Sequence, residues 1–189
     1  MYEEPAEVTF NGGKILLMPW INNTNLDQCL DILKNTSAQV VFGHFEIKGF
    51  EMYRGMPAHE GLEISLFNKF ELVCSGHFHK KSTMGNISYL GCPYQMTWND
   101  YDDPKGFHIY DTVTRELEFI QNEMILFHKV WYNDDGKTVE ELTNYDYSYL
   151  ENCFVKVIVK NKTQPDVFDI WMNKLQEYKP LEISVVEIS

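Results

Sequence analysis

Ser75-Gly76-His77-Phe78-His79 follows an apolar run, Phe70-Glu71-Leu72-Val73-Cys74, that has the composition of a buried strand. Two histidines spaced by one residue on extended backbone point to the same side, so their imidazoles can meet at one point or at two adjacent points. The glycine before the pair permits a sharp turn and a close approach to the backbone. Upstream, Gln39-Val40-Val41-Phe42 is a second buried-strand pattern, and it too ends in Gly-His, Gly43-His44. Two strands that end in Gly-His, one with a further His, outline a set of metal ligands.

The order around them is β–α–β. Glu7–Phe10 and Lys14–Trp20 are apolar runs joined by Asn11-Gly12-Gly13, a hairpin signal. Asn25 stands as a helix N-cap, and Leu26, Cys29, Leu30 and Leu33 then fall on one helical face. An α/β layer structure follows, with ligands expected at the C-terminal ends of the strands, where both Gly-His elements lie. Downstream, Lys81–Met84, Ile87–Leu90, Gly106–Thr112, Glu116–Gln121 and Ile125–Tyr132 alternate as short strands, which predicts an antiparallel second sheet behind the first. Asn133-Asp134-Asp135-Gly136 breaks the pattern, and the polar stretch to Asn152 is expected to link two domains. Beyond it, Phe154–Lys160, a helix from Pro165 and Leu181–Ile188 make a compact β–α–β.

The 189 residues carry a net charge of −12, which argues against a broad basic surface for nucleic acid but leaves room for bound divalent ions to supply a local positive field. No apolar run is long enough to span a membrane, and the N-terminus lacks the pattern of a signal peptide. Cys29, Cys74, Cys92 and Cys153 have no Cys-x-x-Cys spacing, so buried free thiols in a reducing compartment, the cytoplasm, are expected.

Imidazole is a good ligand for zinc, manganese and iron. Three histidines suit a single catalytic ion with an open water position. A two-ion site, with the ions roughly 4 Å apart, needs more ligands, and spacing alone does not choose between the two. His59 is expected at the surface, and His108 and His128 inside strands. Tyr94 and Gln95, on the loop after the site, and Lys80 beside the histidine pair are candidates for substrate contact.

Val41-Phe42-Gly43-His44 and Val73–His79 resemble the last two metal motifs of the calcineurin-like metallophosphoesterases. With Tyr89-Leu90-Gly91-Cys92-Pro93-Tyr94-Gln95 and Asp103–Asp111, they resemble the SbcD-type DNA repair exonucleases, and among these the recombination nuclease subunits of T-even-like tailed phages. The resemblance runs over roughly residues 8 to 188. It implies part of a four-layer α/β/β/α sandwich over 1–132, a linker over 133–152 and a β-α-β DNA-binding cap over 153–189. It implies a metal-dependent phosphodiesterase that cuts DNA with two divalent ions, manganese first, with magnesium or zinc possible. His44 and His77 would hold one ion and His79 the other. Its partners would be DNA, an SMC-like coiled-coil ATPase and a second copy of the subunit, with no membrane.

The family's earlier motifs, Asp-x-His, Gly-Asp and Gly-Asn-His-Asp, do not occur in this sequence. The bridging carboxylate and the proton-donating histidine come from those motifs. The expectation is therefore a chain that is inactive without an N-terminal complement and has no catalytic acid of its own. The alternatives are a non-catalytic module that binds DNA or the ATPase, a metallophosphoesterase acting on nucleotides or phosphoproteins, and a self-contained three-histidine zinc hydrolase.

Overall fold

The turn signal at Asn11-Gly12 is realised in the backbone. Both residues adopt positive φ, 48° and 79°, and they close an antiparallel hairpin between β1 (Ala6–Phe10) and β2 (Gly13–Leu17). This is seen in a computed structural model that describes residues 3–53 and 55–188; Arg54, in the irregular stretch after β3, lies outside them. Helix α1 (Leu26–Asn35) buries Cys29 and Leu33 completely, as its apolar face predicts. Asn25 does not cap it through its side chain. Its amide donates instead to the Trp20 carbonyl at 3.0 Å, and its oxygen accepts from the Asn22 backbone at 2.8 Å, which ties down the loop after β2.

β3 (Val40–Gly43) lies parallel to β2, and the short strands β4 (Glu51–Tyr53) and β5 (Met56–Pro57) pair apart from it. A 3-10 turn at Ile64–Phe67 leads to β6 (Leu72–Ser75), then β7 (Ser82–Met84) and β8 (Ile87–Tyr89). The sheet order is β1-β2-β3-β6-β8-β7, with β2, β3, β6 and β8 parallel and the outer two antiparallel. Leu16, Val41 and Val73 lie fully buried in its core with Phe45, Ile47 and Phe67. The expected second sheet is, among the described residues, a pair of antiparallel strands, β9 (Gly106–Tyr110) and β10 (Leu117–Gln121). It meets the large sheet where the Tyr110 ring packs edge-on against Phe42 at 5.7 Å.

These elements make up one compact unit, residues 3–94 and 102–123; residues 95–101 and 124–188 make a second. The second begins with β11 (Phe127–Asn133), which sequence alternation had placed as an antiparallel strand of the first domain. It runs parallel to β12 (Phe154–Asn161), with Phe127 opposite Phe154 and Val130 opposite Val157. The order β11-β12-β13 is completed by β13 (Glu182–Glu187), after α3 (Pro165–Glu177). The stretch expected to be a linker contains α2 (Val139–Thr143), and its Leu142, Tyr147 and Leu150 belong to the core formed with Val155, Val157, Trp171 and Leu175. Asp134 explains the fold-back. Its buried carboxylate accepts from the Thr163 and Gln164 backbone at 3.0 and 2.9 Å, and so closes the start of α3.

The molecule is thus mixed α and β, with several sheets and few helices. All four cysteines are buried thiols outside any disulfide, as expected. Among the described residues no helix is long and apolar enough to cross a membrane.

Candidate metal centre at the strand ends

The three parallel strands β2, β3 and β6 are in register, with Leu17 beside Phe42 and Gly43 beside Ser75. They therefore end at one level, and the residues that follow them share one edge. Trp20, His44 and His77 are those residues. The His44 and His77 rings meet edge to face at 5.1 Å between centroids and 84°. Trp20 touches both, at 5.4 and 5.3 Å, and is half exposed.

The local backbone explains the projection of His44. A Cβ on Gly43 would stand 2.3 Å from the Phe45 ring, so only glycine lets that ring fold back beneath it. With Phe45 turned into the core, His44 is turned out. Ser75 and Tyr89 then lock the next three residues. The Ser75 hydroxyl accepts from the Phe45 N–H at 2.9 Å and donates to its carbonyl at 3.0 Å. The Tyr89 hydroxyl donates to the same carbonyl at 2.8 Å and accepts from the Ile47 N–H at 2.9 Å. Burial pushes the Tyr89 phenol up to about 12, so it stays a neutral donor. A Cβ on Gly76 would lie 3.4 Å from His44 Nδ1, so the imidazole lies along the Gly76 backbone.

The second histidine loop is held by the same tyrosine. Phe78 is buried and stacks on Tyr89 at 4.6 Å and 26°, and His77 and His79 on either side of it are half-buried. The backbone from His77 to Lys80 is a bend, since β6 ends at Ser75. The inference that the pair rides on extended backbone is therefore corrected: one inward phenylalanine anchors the bend between two histidines. At His79 the carbonyl accepts from Lys105 Nζ at 2.9 Å, and Cys92 Sγ lies 3.7 Å from it.

Burial lowers the His44 pKa, and repulsion from His77 adds to this. A neutral imidazole keeps the lone pair that a metal ion needs, so the donor chemistry of the pair fits a borderline divalent ion. Two rings are fewer than the three protein ligands a catalytic ion ordinarily takes. Cys74, beneath the site, is pushed up to about 12 by burial and is no nucleophile.

Two hollows flank Trp20. One of about 550 Å³ is lined by Met18, Pro19, Trp20, Phe42 and Gly43; the other, of about 180 Å³, by Trp20, His44, Phe45, Glu46 and Gly61. Of the expected substrate residues, Tyr94 is exposed, and Lys80 is paired with Glu51. Gln95 is a correction. It is 5% exposed, its oxygen accepts from the Leu126 and Phe127 backbone, and its amide donates to the Asp100 carbonyl. Its side chain is committed to backbone. Sequence reasoning missed Trp20, Glu46, Ser75 and Tyr89. For the last two, the only available signal was their position in or beside the strands that carry the histidines.

No family model matches the chain. Among curated proteins, it is 38% identical over 159 residues to the protein named exonuclease subunit 1 of Enterobacteria phage T4. The chain is related to this phage exonuclease subunit. The aligned region is 84% of this chain and 44% of the T4 subunit, so the chain spans less than half the length of that relative. The resemblance to phage recombination nucleases carried by the histidine motifs is borne out.

Proposed function

We propose that the chain contributes one wall of a phosphodiester-cleaving site in a metal-dependent DNA nuclease subunit. The observation that carries this reading is the His44–His77 imidazole pair at the level ends of adjacent parallel strands, in a chain related to an exonuclease subunit. His44 and His77 hold one ion and His79 a second. Bound divalent ions, manganese first with magnesium or zinc as alternatives, supply Lewis acidity at the phosphate and a nucleophile at neutral pH. His44, kept neutral by burial, offers a lone pair without first losing a proton. Ser75 and Tyr89 set its direction, and Trp20 fixes the rotation of both rings. Lys80 and Tyr94 contact the substrate.

The remaining ligands and the proton donor come from a second polypeptide segment carrying the motifs this sequence lacks. With that complement the sheets of the first unit, residues 3–94 and 102–123, form part of the four-layer sandwich, and the second unit, residues 95–101 and 124–188, acts as the cap. The assembled subunit works in recombination and repair as a dimer with an SMC-like ATPase. The shortage of donors favours a second reading, a binding module without catalysis.

One experiment separates them. The purified chain is expected to show negligible manganese-dependent nuclease activity, and addition of a polypeptide carrying the missing motifs is expected to restore it. Robust activity of the chain alone, abolished by His77→Ala, would overturn the incompleteness. Restored activity that His77→Ala leaves intact would overturn the site. No activity in the complemented mixture would favour the binding module.

A further inference from the structure

The smaller hollow beside Trp20 reaches from His44 across to Leu26 and Leu62. Its volume, about 180 Å³, falls below the roughly 300–1,000 Å³ of pockets for drug-sized ligands and suits one flat ring system. The two leucines give it apolar walls, Trp20 an aromatic one, and Asn23 and Glu46 polar ones. Trp20 is 50% exposed and borders both the hollow and the two imidazoles.

Two of these walls are fixed. The loop that carries Trp20 is closed by Asn25, whose amide holds the Trp20 carbonyl at 3.0 Å. The Glu46 carbonyl accepts from the Leu62 N–H at 2.8 Å. Gly61, at φ 116°, passes so close that a Cβ on it would stand 2.5 Å from that carbonyl and 3.2 Å from Glu46 Cγ. Only glycine fits there, so the stem of Glu46 is pinned against backbone. Among the described residues the Glu46 carboxylate has no hydrogen bond and no ion pair. Nor, among them, does Glu46 join His44 and His77 in a three-donor cluster, so it is no third ligand for their ion.

We infer that this hollow is a base-selecting subsite, which stacks one unpaired base on Trp20 and prefers a base whose exocyclic amino group can donate to Glu46. The inference rests on the reading of the histidines as a phosphodiester site and adds a base preference to it. A carboxylate only accepts hydrogen bonds, so cytosine, adenine and guanine each offer it an amino donor. Thymine places its O4 carbonyl where cytosine has the amino group, and two acceptors then face each other. In a duplex the amino group already bonds its complement and both base faces are stacked, so the subsite takes an unpaired base. An aliphatic ligand would fill the hollow but leave the carboxylate without a donor, which costs binding.

The test is an NMR titration of the full chain with dCMP and with dTMP, in EDTA, following the Trp20 indole N–H. A saturable shift is expected with dCMP, and binding about tenfold weaker with dTMP. Trp20→Ala should weaken dCMP binding about tenfold, read from the remaining backbone amides of the hollow. Glu46→Gln presents both a donor and an acceptor, so it should bring the two nucleotides to near-equal affinity. Glu118→Gln, which removes the same charge from the exposed face of β10, should leave the preference unchanged. Glu46 makes no side-chain bond, so the melting temperature of Glu46→Gln should match that of the parent. The inference is overturned if neither nucleotide binds saturably, if the parent binds both equally, or if the preference survives Glu46→Gln. The two readings fail separately. A complemented mixture that cuts DNA while the titration shows no preference removes the subsite alone; a clear preference in a chain whose complemented mixture never cuts removes the nuclease reading alone.

Discussion

Both units bury a polar side chain that binds the backbone of a distant loop, and they put it to different use. In the first unit, Ser75 and Tyr89 hold residues 45 to 47, and the consequence is felt one residue away, where His44 is turned outward. In the second, Asp134 holds residues 163 and 164, and the consequence is closure of the unit itself, because α3 starts there. The indole of Trp171, bonded to the Tyr147 hydroxyl at 3.1 Å, adds a second such tie within the same core. The contrast is between a device that aims a functional group and one that completes a fold. Damage to the first should show in ligand binding before it shows in stability; damage to the second should show in stability alone.

The largest effect should come from Trp171→Ala, which empties the centre of the second core and leaves the Tyr147 hydroxyl without its donor. A loss of about 3–5 kcal/mol is expected. Backbone amide exchange should locate the loss in β11, β12 and α3. Equal loss of protection around His44 would break the comparison.

Gly43→Ala comes next. Its Cβ must displace the Phe45 ring, at a cost of about 1–3 kcal/mol for overpacking. The displacement moves His44 with it. Manganese binding followed by calorimetry should therefore fall more than the melting temperature alone suggests, whereas the same substitution at Gly12, where a Cβ meets nothing within 4 Å, strains only the turn.

Tyr89→Phe keeps the ring that stacks on Phe78 and removes the hydroxyl. The Ile47 N–H loses its acceptor, at about 1–2 kcal/mol. Support of this kind around a ligand is worth about tenfold in metal affinity. If affinity is unchanged while stability drops, Tyr89 completes the fold as Asp134 does, and the distinction between the two devices fails.

How much of this was legible follows from how local each signal is. The Asn11-Gly12 turn, the buried face of α1 and the β12–α3–β13 unit rest on neighbours within a few residues, and they appear where the pattern puts them. The two Gly-His elements were legible because a strand and its end lie together in the chain. The partner of β11 was not. Alternation marks a strand but cannot say that its neighbour begins 27 residues after it starts, in parallel, past a stretch that looks like a linker and is partly core. Trp20 was invisible for the same reason. It meets the histidines only through sheet register, and nothing in the local sequence around Pro19 records that. Tyr89 stood in a recognised motif, but its bonds to residues 45 and 47 are equally unwritten in its neighbours. Gln95 misled because a polar residue on a loop beside a site has the same appearance whether it faces solvent or, as here, holds buried backbone.

The smallest effect concerns acid. His128 is the sole histidine of the second unit, and burial lowers its pKa, partly offset by its bond to the Ile125 carbonyl. The sign follows from which state takes the proton first. With the folded value below the unfolded one, about 6.5, the unfolded chain protonates earlier as pH falls, so stability is lost as pH drops below about 6.5. Asp134 acts at lower pH. Burial pushes its carboxyl up, but the bonds from Thr163, Gln164 and Tyr132 outweigh this and hold it below the usual range. Its contribution is present above about 3.9 and fades as pH falls through the lowered folded value. Two separate acid steps are therefore expected in the amide exchange of β12 and α3. His128→Asn should remove the upper step and leave the lower one. In the first unit the upper loss should persist in that variant, because the lowered values of His44 and His108 act there in the same direction. If His128→Asn leaves the upper step of the second unit in place, a single half-buried imidazole does not govern its acid response, and the two units differ less than their hydrogen bonds indicate.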